Sequence, residues 1–306
     1  MTTKKRILVT GSSGYIGSRF CKYVLQNKHY SLVTISRKFH NDLPANQYLI
    51  KKYTDIEPSF FEDVDCVVHS AGYAHDLSDE KHGDKYFDIN LEFTKLVFEM
   101  AKNAMVKKFI FLSSVKVNQS VNQYSIKEND SFPPTNIYGI SKLAAENFLL
   151  SKAKETNTIV TIIRPSLVYG PEVKGNLFRM LSAIKKGFFP PLPNIESCKS
   201  MVHIDDLVKA IDFCIVKSST NNNIYHITDG QNYSAQEIYH YLLRSLNMKV
   251  PNWHIPKFLF FIFPKTTKIR RLVDKIFGYD CFCSSKIRKL GFFPKKTLEH
   301  FNETDY

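Results

Sequence analysis

Tyr138 and Lys142 stand four residues apart in YGISK, a spacing that puts both side chains on one face of a helix. A phenol held beside an ammonium is an acid–base pair. The cation favours the phenolate and draws the phenol's pKa toward neutrality. Such a tyrosine can take a proton from an alcohol or return one to a carbonyl oxygen. Two hydroxyls, Ser113 and Ser114, close the apolar run FIFL upstream. A hydroxyl there could hold the reacting oxygen or make a strand-end hydrogen bond. A third feature is ILVTGSSGYIG (Ile7–Gly17), in which Gly11, Gly14 and Gly17 follow a strand-like run and open a helical one. Glycines there permit a tight turn and a close approach of backbone to a pyrophosphate, which a helix N-terminus then attracts. A phosphate loop and a proton-transfer pair together point to hydride exchange with a nicotinamide dinucleotide.

The rest of the first half supplies elements to position these groups. Ile7–Thr10, Leu32–Ser36, Cys66–Ser70, Phe109–Ser113 and Ile159–Ile163 are short, mostly β-branched or aromatic runs that fit buried parallel strands. Between them, Ile16–Gln26, Tyr86–Asn103 and Ser141–Thr156 repeat apolar residues at helical spacing. The alternation predicts an α/β fold, a Rossmann-like doubly wound parallel sheet with ligands at the carboxyl ends of its strands. Beyond Pro165 the chain becomes rich in glycine and proline. We read residues 1–165 as a dinucleotide-binding domain and 166–306 as a smaller substrate-binding lobe, packed on the first and partly interleaved with it.

Composition narrows the class. Hydrophobic content of 43% in 306 residues supports a sizeable core and sets disorder aside. No apolar run approaches membrane-spanning length, and Met1–Arg6 lacks the apolar region of a secretory leader, so a cytoplasmic protein is expected. Six scattered cysteines form neither a zinc pattern nor a disulfide framework and read as free thiols; ten histidines form no ligand set, and no metal is expected. The net charge of +13 is spread along the chain without a nucleic-acid module, and reads as a lysine-rich surface. The aromatic stretch KFLFFIF, followed by the basic run Lys265–Arg271, reads as a short helix packed on the body. A peripheral contact with a membrane surface is its sharper alternative.

With its GxxGxxG loop and YxxxK pair, the chain resembles the short-chain dehydrogenase/reductase family, and over nearly its whole length the extended branch of NAD-dependent epimerases and dehydratases. The resemblance implies catalytic roles for Ser114, Tyr138 and Lys142, with Lys142 also reaching the nicotinamide ribose. It implies cofactor contacts at Gly11, Gly14, Tyr15, Ile16 and Gly17, at Asp55 and Ile56 near the adenine, and at Ala71 and Gly72 within HSAGYAH (His69–His75). Asn90 in DINLEFT matches a family asparagine near the cofactor, and Pro165 and Val168 in RPSLVYGP border the nicotinamide. Substrate contacts are implied at Ala74, Lys116, Asn176 and Lys199. Lys199 stands where the family's R-D-F-V-H-V-D-D motif has arginine, and a lysine neutralises phosphate without the bidentate fork. His203 in the same motif reads as structural.

SSVKVN, RPSLVYGPEVKGN and KIRKLGFFPKKTL (Lys286–Leu298) are similar to bacterial UDP-N-acetylquinovosamine 4-dehydrogenases of surface-polysaccharide synthesis, with UDP-galactose 4-epimerases next. Sugar 4,6-dehydratases carry an acidic pair immediately after the catalytic hydroxyl, where this chain has Val115 and Lys116, so dehydration is disfavoured. The reading is a 4-ketoreductase or 4-dehydrogenase acting on a UDP-linked, N-acetylated 6-deoxyhexosamine. The alternatives are a UDP-sugar 4-epimerase with tightly bound NAD and, from another class, a non-catalytic dinucleotide sensor, which would not need the phenol–lysine pair. Ser36 followed by Arg37 at the end of the second strand favours NADP, with NAD the alternative, because arginine accommodates a 2′-phosphate and an acidic residue would bond the ribose. By analogy with the family, a homodimer would pair helices such as Tyr86–Asn103 and Ser141–Thr156.

Overall fold

In the computed structural model, which describes residues 4–43, 46–74, 83–121, 124–262, 273 and 275–302, seven parallel strands form the central sheet. They are β1 (Lys5–Thr10), β2 (Tyr30–Ser36), β3 (Gln47–Leu49), β4 (Cys66–His69), β5 (Lys108–Leu112), β6 (Ile159–Pro165) and, from far along the chain, β9 (Ile224–Ile227), in the order β3-β2-β1-β4-β5-β6-β9. Every pairing is parallel, as the doubly wound expectation required. Successive residues point to opposite faces, so each strand feeds two cores. Ile7, Val9, Val68 and Ile110 pack against α1 (Tyr15–Gln26) and α6 (Ile204–Val216). Leu8, Val67, Phe109 and Phe111 pack against α3 (Phe93–Asn103) and α4 (Ile137–Ala153). Burial on both faces explains why these strands read as continuous apolar runs.

The second sheet centres on β8 (Cys198–His203), which pairs with β7 (Leu167–Tyr169), β10 (Asn232–Tyr233) and β11 (Tyr279–Asp280). With α5 (Asn176–Lys185) and α7 (Ala235–Ser245) it encloses a third core around Tyr169, Leu181, Ile238 and Leu242.

Several expectations are revised. The helix read over Tyr86–Asn103 is α2 (Gly83–Phe87), then a π-helical turn over Asp88–Glu92, then α3. The helix read from Ser141 begins at Ile137, because the Asn136 side chain caps it by accepting the Gly139 N–H at 2.8 Å. Cys198 and Cys281, scattered in sequence, come to face each other with their Cα atoms 5.7 Å apart, close enough to pair. The parallel pairing of β8 with β11 brings these positions together from 83 residues apart, a proximity that spacing cannot reveal. Lys257–Ile262 forms the short helix α8, although Phe258 on it is exposed rather than packed. His75 and the basic run Lys265–Arg271 lie outside the described residues. Among those described, no helix is long and apolar enough to cross a membrane.

Candidate active site

The site forms where the strand order reverses, between β1 and β4. Gly11 turns the chain at φ +68°, and a Cβ there would lie 2.6 Å from the Cα of Ala71. The turn after β1 therefore touches the loop after β4, backbone to backbone. Beyond it, α1 starts at Gly14 with no side-chain cap and no acidic residue in its first turn. Its first N–H groups and the positive end of its dipole are available to an anion. The Ser12 hydroxyl is buried in the same loop without a partner. This uncapped cradle fits the pyrophosphate of a dinucleotide. Tyr15 and Ile16 pack on the first core, and Ile56 is buried in the second, so these three would serve a cofactor through their main chain. Arg37 is exposed just beyond β2, close enough for its charge to lower a Tyr53 phenol that burial raises. Asp55 is exposed, and one carboxylate oxygen accepts the N–H groups of Lys51 and Lys52 at 2.9 and 2.7 Å.

A buried polar chain backs the cradle. Thr10 Oγ1 bonds His69 Nδ1 at 2.7 Å, His69 Nε2 bonds Thr94 Oγ1 at 2.9 Å, and Thr94 donates to the Asn90 carbonyl at 2.8 Å. Burial, reinforced by the Lys142 charge, holds the His69 imidazole far below its ordinary pKa and therefore neutral. The Asn90 amide donates to the Tyr73 carbonyl and to Ser141 Oγ at 3.1 and 2.9 Å, and its oxygen accepts the Tyr73 N–H at 2.8 Å. Both amide protons are thus spent on the protein, and a cofactor contact is left to one oxygen lone pair. Asn90 joins the loop carrying Ala71, Gly72 and Tyr73 to the helix carrying Tyr138.

Ser114, Tyr138 and Lys142 come together where α4 crosses the end of β5. Ser114 is extended, caps the short turn Val115–Val117 and accepts the Lys116 N–H at 3.2 Å. Burial pushes the Tyr138 phenol up to about 12, while a side-chain hydrogen bond with Ser114 pulls the other way. The Lys142 ammonium donates to the Leu112 carbonyl at 2.8 Å and lies 4.6 Å from the centre of the Phe111 ring. A Cβ on Gly72 would sit 3.1 Å from that ammonium, which therefore borders the loop along the cradle. The expectation that Lys142 depresses the phenol is corrected for this state: desolvation wins at both groups. Burial takes Lys142 itself down to about 7, against support from Glu146. Ser113 makes its strand-end bond through the main chain, its N–H donating to the Ile163 carbonyl at 2.8 Å, while its hydroxyl is buried without a partner.

The substrate side contains a cluster that sequence reading caught only in part. The Asp280 carboxylate accepts Lys116 Nζ at 2.5 Å on one oxygen and Lys199 Nζ at 2.8 Å on the other, and Ser120 also donates to it. Burial would raise this carboxyl, but the two ammonium groups hold it down at about 2. Lys116 comes from the turn after Ser114 and Lys199 from β8, so the cluster ties the end of the first sheet to the second. Asp280 was missed because only the pairing of β11 with β8 places it there. Pro165 ends β6 and is buried, Val168 in β7 pairs with Val202, Ala74 is exposed, and Asn176 is exposed at the start of α5. His203 is structural, its Nδ1 accepting the Asp205 N–H at 3.1 Å.

Lys142 yields a test in the cofactor-free protein. Its folded pKa, about 7, lies below the ordinary 10.5, so the unfolded chain binds the extra proton between those values. Its contribution to stability therefore rises with pH across that window and is flat below it. Between pH 7 and 9, denaturant melts should show wild type gaining roughly 2 kcal/mol relative to Lys142→Met. Parallel pH profiles for the two proteins would contradict the desolvated lysine.

A model of the NAD dependent epimerase/dehydratase family matches residues 7–228. The chain is 31% identical over 315 residues to a UDP-glucose 4-epimerase of Vibrio cholerae, covering 98% of this chain and 94% of that one. It is 25% identical over 309 residues to an N-acetyl-alpha-D-glucosaminyl-diphospho-ditrans,octacis-undecaprenol 4-epimerase of Escherichia coli O157:H7, covering 95% and 91%. Its fold is similar to that of UDP-N-acetylglucosamine 4-epimerase from Methanobrevibacter ruminantium M1, with TM-score 0.80, 20% identity and coverage of 99% and 98%. These matches, over a dinucleotide cradle and a Ser–Tyr–Lys set, show that the chain is an enzyme belonging to the NAD dependent epimerase/dehydratase family.

Proposed function

We propose that this enzyme moves hydride at C4 of the hexose of a UDP-sugar, with Ser114 and Tyr138 managing the C4 oxygen. The observation that carries the reading is the gathering of Ser114, Tyr138 and Lys142 where α4 crosses the end of β5, with Lys142 donating to the Leu112 carbonyl and buried beside the Gly72 loop. Gly11, Gly14, Gly17 and the first turn of α1 would hold the dinucleotide, and a bound nicotinamide would supply the hydride donor or acceptor. Lys199, together with Asn176, would hold the substrate diphosphate, the lysine as a point charge.

Within that chemistry we read the net reaction as reduction of a 4-keto-6-deoxy-N-acetylhexosamine, drawing on NADPH in the cytoplasm and serving surface-polysaccharide synthesis. The end of β2 supports reduction, because it suits the cofactor of reductive reactions. The strand before the ribose position ends in Ser36 and Arg37, with no carboxylate to bond a 2′-hydroxyl. Dehydration lacks a base: Lys116 follows Ser114, and the nearby Asp280 carboxylate is held by two lysines. A second reading, 4-epimerisation with retained NAD, uses the same residues and is favoured by the names of the Vibrio cholerae and Escherichia coli relatives.

Supplied with a UDP-linked 4-keto-6-deoxy-N-acetylhexosamine, the enzyme should consume one NADPH per sugar and give the 4-hydroxy product by NMR. Interconversion of gluco and galacto UDP-sugars without net loss of reduced nicotinamide, the keto sugar left untouched, would overturn reduction and select epimerisation. Tyr138→Phe should keep the fold and cofactor binding yet lose about 10²–10⁴-fold in turnover. A mutant with near-wild-type turnover would remove the tyrosine from the chemistry under either reading.

A further inference from the structure

The far edge of the second lobe carries a surface that the C4 chemistry does not use. Phe188, just beyond α5, is 82% exposed, Trp253 is 61% exposed, and Phe258 on α8 is 55% exposed. Single exposed apolar residues are ordinary on a protein surface. These three are grouped by the fold: the Ile255 N–H donates to the Pro191 carbonyl at 3.1 Å, joining the segment of Trp253 and Phe258 to the one that follows Phe188. Exposed Lys186, Lys249 and Lys257 flank the rings. Neither residues 173–195 nor residues 238–273 contain a single Asp or Glu, in a chain that holds 29 of them. The edge is therefore aromatic and positive, without acidic side chains from its own segments.

We propose that this edge docks the enzyme peripherally on an anionic lipid surface. Aromatic rings favour the headgroup boundary, where their apolar faces leave water, and lysine stems reach from there to lipid phosphates. Lysines near a negatively charged leaflet are drawn to it, and these segments carry no carboxylate of their own, the nearest in sequence being Glu172, Glu196, Glu237 and Asp274 at their borders. A net charge of +13 adds long-range attraction of the same sign. A polynucleotide could use the same cations, but it is read through a groove that tracks its backbone, whereas these rings stand on a helix and its neighbouring loops. The inference holds for either C4 reaction, since none of these residues belongs to that site.

Trp253 is the only tryptophan in the chain, so tryptophan emission, excited selectively beyond the tyrosine band, reports this edge alone. Titrating the full-length protein with phosphatidylglycerol-containing vesicles should shift the emission to shorter wavelength and carry the protein into the vesicle pellet. Vesicles of phosphatidylcholine alone should do neither. Lys186→Glu combined with Lys257→Glu should weaken partitioning at least tenfold. Phe188→Ala combined with Phe258→Ala should weaken it severalfold at unchanged thermal midpoint. The proposal is overturned if anionic vesicles produce no shift, if both double mutants bind as wild type does, or if a DNA oligonucleotide produces the same shift and displaces the vesicles.

Discussion

The active site depends on how closely helix α4 approaches the turn that follows β5. A Cβ built on Gly139 would lie 2.1 Å from the Lys116 carbonyl oxygen and 2.8 Å from Pro134 Cβ, distances no real side chain tolerates. Only hydrogen at this position lets the helix settle against the turn that begins at Ser114. From there Tyr138 reaches the Ser114 hydroxyl and, one turn on, Lys142 reaches the Leu112 carbonyl. Other contacts hold the helix in that seat. Asn136 caps its start, Ala145 and Leu149 enter the core, and Glu146 meets Arg164 on β6 in a buried bidentate pair at 2.6 and 2.9 Å. The fork fixes direction as well as distance, so the helix has little freedom to roll.

Inside this seat, burial and charge compete, and the outcome differs from group to group. Tyr138 and Lys142 are desolvated, and Glu146, engaged by Arg164, offsets the Lys142 shift only in part; both groups shift toward their neutral forms. Asp280 is desolvated too, but two lysines converge on it and keep it ionised. The site thus offers a neutral phenol against the glycine cradle and fixed ionic groups toward the second sheet.

Much of this was legible along the chain because it is local. Gly11, Gly14 and Gly17 lie within one turn, Tyr138 and Lys142 within one helical turn, and the parallel strands announce themselves by continuous apolar runs. What escaped notice depends on distant segments or on burial. β7, β10 and β11 are two or three residues long, too short for periodicity to register. The Asp280 cluster and the approach of Cys198 to Cys281 exist only because β11 pairs with β8. The π-helical turn that presents Asn90 interrupts a pattern that reads as one unbroken helix. The direction of the Tyr138 shift needed the depth of the site, which the spacing of YGISK does not encode.

Gly139→Ala tests the central claim most directly. The added methyl must push α4 off the Lys116 carbonyl, an overpacking that costs about 1–3 kcal/mol and separates Tyr138 from Ser114. Turnover should be measured on protein shown by circular dichroism and dinucleotide titration to be folded and to bind its cofactor. A displacement near 1 Å at the reacting groups predicts a loss of about 10²-fold in kcat. Wild-type kcat in that variant would show that the close approach of helix and turn is not what assembles the site.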